Sequence, residues 1–84
     1  MDLRHMRAED FQKQPLELEG WSVHLTSYRI GSNYLAEVEA ESSGVTIARV
    51  TDQTRAIAEE RAVETAVRRL HRTRRSDFDL TVGG

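Results

Sequence analysis

No cysteine occurs in this chain of 84 residues. That absence excludes a disulfide framework and any thiolate metal site, and it suits a reducing compartment, so a cytoplasmic location is expected. Long apolar runs are missing as well. No stretch approaches the roughly 18 residues that a membrane-spanning helix needs, and the opening "MDLRHMRAEDFQKQ" lacks the apolar core of a secretory signal. Lysine is nearly absent, since eleven of the twelve basic residues are arginine. With a net charge of −2, the chain is not a polyelectrolyte binder whose whole surface is basic.

The signatures of catalysis are also lacking. "RVTDQTR", just before the main helical segment, contains no glycine and so forms no phosphate-cradling loop. No serine or threonine sits in a nucleophile elbow. His5, His24 and His71 have no metal-ligand spacing. The expectation is a non-enzymatic domain with no catalytic, cofactor-binding or metal-binding residue, and no membrane partner.

What is present is organised. At this length one domain is expected, burying about 60–65% of the surface its unfolded chain exposes. "WSVHLTSYRI" and "NYLAEVEAE" alternate around "GSN". A type II′ turn at Gly31–Ser32 pairs Val23 with Ala40, Leu25 with Val38 and Ser27 with Ala36 on one face. Ser22, His24 and Thr26 then meet Glu41, Glu39 and Glu37 on the other, and a one-residue slip destroys the match. "VTIARVT" reads as a third strand whose facing stays open: Val45 and Ile47 share one side, Ala48 and Val50 the other, and a bulge would reconcile them.

"TDQTRAIAEERAVETAVRRLHRT" predicts a helix, capped by Thr51, Asp52 or Thr54, with Ala56, Ala62, Val63, Ala66, Val67 and Leu70 on its inner stripe. The predicted fold is α+β: a three-stranded antiparallel meander with a C-terminal α-helix packed on one face. Residues 1–15 are an N-terminal tail or short helix ended by Pro15, residues 16–75 form the β-β-β-α domain, and 76–84 form a C-terminal tail. In that tail Phe78, Leu80 and Val82 alternate, so it either adds a short strand or hangs free.

The order of elements, with Tyr34, Ala36 and Val38 on the second strand and Thr54, Ala58, Ala62 and Ala66 on the helix, resembles small bacterial domains of the HicB-like, partial double-stranded-RNA-binding-domain type. The resemblance spans roughly residues 20–72 and rests mostly on core positions, so it implies the fold more than an activity. Where double-stranded-RNA-binding domains carry a lysine cluster at the last helix, this chain has Asp52, Arg55, Glu59 and Glu60.

Two surface features carry the functional expectations. "AVRRLHRTRR" holds Arg68, Arg69, Arg72, Arg74 and Arg75 and no acid. Either it is the solvated last turn of a helix, complementing the helix dipole, or it contacts nucleic-acid phosphates. The outer sheet face carries Glu37, Glu39 and Glu41 beside His24. Opposite charges on separate surfaces favour a protein partner or a second copy, so a protein-interaction or self-associating module is expected, a homodimer among the outcomes. Tyr28, Leu35, Ala48 and Val50 are its expected apolar contacts if they face outward. Weak nucleic-acid binding through the five arginines is the alternative.

Overall fold

The hairpin around Gly31 forms rung for rung as its alternation requires. The computed structural model describes residues 8–83, with side chains through Arg72. Strand β2 (Trp21–Ile30) pairs antiparallel with β3 (Asn33–Ala40), placing Val23 opposite Ala40, Leu25 opposite Val38 and Ser27 opposite Ala36. Gly31 has φ +62 and Ser32 does not share a positive φ, which is the II′ pattern.

The sheet has four strands, not three. The additional strand, β1 (Ala8–Leu18), lies where a tail or short helix was expected, and it pairs antiparallel with β2. The earlier part of that expectation, residues 1–7, lies outside the described residues. Pro15 does not stop the chain because β1 is an edge strand, where a missing amide hydrogen can face solvent. Glu19 (φ 53) and Gly20 (φ 81) connect β1 to β2 with the two positive φ values of a type I′ turn, whose twist matches the strands it joins. A bulge follows Glu9, where Asp10 (φ 57) and Phe11 together oppose Tyr28.

Strand β4 (Thr46–Asp52) completes the order β1-β2-β3-β4. Its register shifts between Val38 and Glu39, leaving Ile47 as the extra residue. This bulge resolves the facing of the strand: Ile47, Ala48 and Val50 all pack toward the core, and Val45 is left exposed in the preceding loop.

Helix α1 (Arg55–Gly83) crosses the sheet mainly over β3 and β4. Thr54 is its N-cap, accepting from the Ile57 amide at 3.2 Å. The stripe that meets the sheet is Ala58, Ala62, Ala66 and Leu70, each four residues on from the last, packed on Val23, Leu25, Ala36, Val38 and Ala48. Ala58, one of the positions that carry the family resemblance, is buried, while Ala56, expected on the stripe, is exposed. Three fully buried alanines bring the helix close to the sheet, so the core is built from short side chains. The helix continues through residues 76–83, where a tail was expected, because no glycine or proline interrupts the sequence between Arg55 and Gly83. At about 1.5 Å per residue it is roughly 43 Å long, which accounts for a molecule extending 50 × 24 × 19 Å.

Candidate functional site

One polar seam crosses the inner face. Ser27 is fully buried, and its hydroxyl donates to Glu59 Oε2 at 2.5 Å while accepting from Arg55 Nη1 at 2.8 Å. Arg55 also donates to the Asp10 carbonyl at 2.6 Å and lies 5.0 Å from the centre of the Tyr34 ring. A serine beside a carboxylate invites a catalytic reading, but this hydroxyl is sealed under the helix and offers a substrate no approach. Its effect is structural: it ties the first turns of α1 to β2 and, through Arg55, to the bulge of β1.

The outer face is graded from end to end. Glu17, Ser22 and Glu41 occupy the end nearest Gly20, followed by Pro15, His24, Glu39 and Thr46. The next row is Lys13, Thr26, Glu37 and Arg49. Here Glu37 accepts from Arg49 at 2.8 Å (Nε) and 2.7 Å (Nη2). The Arg49 guanidinium is held above its usual pKa, first by that hydrogen bond and then by the charge of Glu37. The expected acidic row is therefore partly neutralised by β4 and lengthened by Glu17 from β1.

The far end is apolar. Phe11 stacks on Tyr28 with ring centroids 4.6 Å apart and planes 15° from parallel, and Leu35 stands opposite Tyr28 on β3. Phe11 is 62% exposed. The bulge at Asp10 directs this ring: it places two residues against one, so that Phe11 covers Tyr28. Of the four expected interface residues, Tyr28 and Leu35 stand on the outer face. Ala48 and Val50 do not: Ala48 is buried beneath α1 and Val50 packs against the same core, because the Ile47 bulge turns both inward.

The arginine cluster is divided. Arg68, Arg69 and Arg72 are all exposed, and Arg69 also donates to the Ile47 carbonyl at 2.7 Å. The side chains of Arg74 and Arg75 lie outside the described residues. All five positions fall inside a helix that ends at Gly83, and its last turn holds no basic residue. The helix dipole, felt within the terminal turn, therefore does not account for them. Arg61 pairs instead with Asp52 of β4 at 3.6 Å, and His71 meets Glu19 at 3.3 Å. Trp21, Ala40, Val45, Ile47, Arg69 and Leu70 line an apolar cleft of about 360 Å³ beside the β3–β4 loop.

Among the described residues no group of three or more acids and histidines is placed to hold a metal ion, and no helix is long and apolar enough to cross a membrane. Comparison with protein families, with curated proteins and with solved structures finds no match for this chain.

Sequence reasoning missed the strand that places Phe11, Lys13, Pro15 and Glu17 on the outer face. Their signal lay in "LELEGWSV", where Leu16, Leu18, Trp21 and Val23 alternate about the two-residue turn Glu19–Gly20.

Proposed function

We propose that this domain works by binding protein, a second copy of itself included, and carries out no catalysis. The observation that supports this reading is the exposed Phe11–Tyr28 stack beside Leu35. A stacked aromatic pair is a large apolar surface with little rotamer entropy to lose on contact, which makes it a good centre for an interface. The charge gradient around it supplies orientation, with acids at the opposite end of the same face. Light scattering over a range of protein concentrations tests self-association. A mass that rises toward a dimer, and stays monomeric in Phe11→Ser with Leu35→Ser, supports the contact. If the wild-type mass stays monomeric at every concentration, the patch serves a different partner or none.

A second reading is nucleic-acid binding through Arg68, Arg69, Arg72, Arg74 and Arg75. It is favoured by one observation, their position inside the helix rather than at its dipole end. Fluorescence anisotropy with single-stranded and duplex DNA and RNA tests it: phosphate contact requires binding that weakens steeply with salt and is lost when Arg68 and Arg72 are replaced.

A further inference from the structure

The two edges of the sheet differ in a way that identifies a partner. Edge β1 is guarded. Pro15 removes one amide hydrogen, the Asp10–Phe11 bulge breaks the ladder, and Glu9, Asp10, Lys13 and Glu17 line it with mostly negative charge. Edge β4 carries neither proline nor glycine, and beyond the Ile47 bulge its register with β3 is regular from Ala48 to Asp52. Among the described residues nothing pairs with its far side. Three arginines frame it. Arg49 projects from its middle on the outer face, 61% exposed while it holds Glu37. Arg61 reaches Asp52 from the helix at one end, and Arg69 reaches the Ile47 carbonyl at the other.

We infer that β4 is a docking edge for an extended acidic segment of another protein, which adds as a fifth strand. Main-chain hydrogen bonds along Ala48–Asp52 supply affinity, and the arginines select carboxylate side chains on both faces of the added strand. A second copy of this chain fits the edge poorly. In the register that overlaps the whole of Thr46–Asp52, a two-fold antiparallel pairing sets Arg49 against Arg49, and it faces the Arg61 and Arg69 of each helix with those of the other. Nucleic acid would satisfy the arginines but not the strand's amides and carbonyls. The exposed aromatic stack, Phe11 on Tyr28, lies on β1 and β2, away from this edge.

This inference rests on the reading of the domain as a protein binder, but it concerns a different surface from the Phe11–Tyr28–Leu35 patch. The two therefore fail separately: loss of self-association leaves the edge untouched. The test is a titration of the isotope-labelled full chain, followed by amide shifts and hydrogen exchange, with a synthetic peptide of roughly eight residues built of alternating Glu-Glu and Val-Val pairs, which sets glutamates on both faces of a strand. Two control peptides accompany it, one with lysine in place of glutamate and one N-methylated on alternate amides.

Shifts and added protection centred on Ala48–Asp52 are expected, absent with both controls and roughly tenfold weaker in Arg49→Gln with Arg61→Gln. Both substitutions are at exposed positions, and an unchanged melting temperature confirms an intact fold. Equal binding of the N-methylated or the lysine peptide overturns the inference, as does a response confined to β1 or the aromatic patch. So does the absence of any response to the acidic peptide at millimolar concentration. Shifts of the β4 amides with protein concentration alone would assign the edge to a second copy instead. A stronger response there to a thymidine oligonucleotide than to the acidic peptide would assign it to nucleic acid.

Discussion

The two faces of this sheet are built on opposite rules. Beneath the helix the contacts are short-range and closed: alanines from α1 meet valine, leucine and alanine from β2, β3 and β4, and the one buried hydroxyl, on Ser27, has both of its partners. On the outer face most residues are polar or charged and open to solvent, Thr26 being buried among them, with an aromatic stack at one end and acids at the other. Stability is concentrated in the first face, and the contact proposed above lies on the second. Substitutions should separate accordingly.

Leu25→Ala should have the largest effect. Leu25 is nearly buried, and the alanine-lined helix above it has no long side chain to refill the space, so a loss of about 2–5 kcal/mol is expected. Against a total of roughly 4–12 kcal/mol for a chain of this length, urea denaturation should show a large drop in midpoint or an unfolded protein. Next comes Ser27→Ala, which leaves the Glu59 carboxylate and Arg55 without their shared partner, at a cost of about 1–3 kcal/mol. If Ser27→Ala melts like the wild type, the seam is not holding the helix to the sheet. Smallest is Arg49→Ala on the outer face. Its pair with Glu37 is exposed to solvent on the arginine side, so the change in urea midpoint should be slight and should vanish in high salt. A salt-independent loss would mean that Arg49 acts through packing instead.

The same division explains what could be read from the chain. The β2–β3 hairpin was legible because both faces alternate cleanly and Gly31 marks the turn. The helix was legible from its alanine spacing, although Ala58 rather than Ala56 faces the sheet. β1 was not, because its first inward-facing residues, Gln12 and Gln14, are polar; a strand at the rim of a small sheet need not be apolar until Leu16. Residues 76–83 looked like strand or tail because Phe78, Leu80 and Val82 alternate. Nothing between them and Arg55 breaks a helix, and continuation costs less than a fresh start. The outer-face patch was half legible. Tyr28 and Leu35 follow from the hairpin register, whereas Phe11 depends on a strand and a bulge without strong signals. The inward turn of Ala48 and Val50 hinges on which side of Ile47 the extra residue falls, and the alternation of β4 fits either placement.

The strand order has a consequence for the chain as it is made. Each strand neighbours the one synthesised just before it, so the sheet can assemble progressively from its N-terminal side. Its apolar underside, however, is covered by residues 55–70, which come after the whole sheet. At about 5–20 residues per second, those 16 residues take roughly 1–3 s to emerge. During that interval Val23, Leu25 and Val38 face water, and the acids along β1 and Arg49 on β4 are what keeps one unfinished sheet from pairing with another.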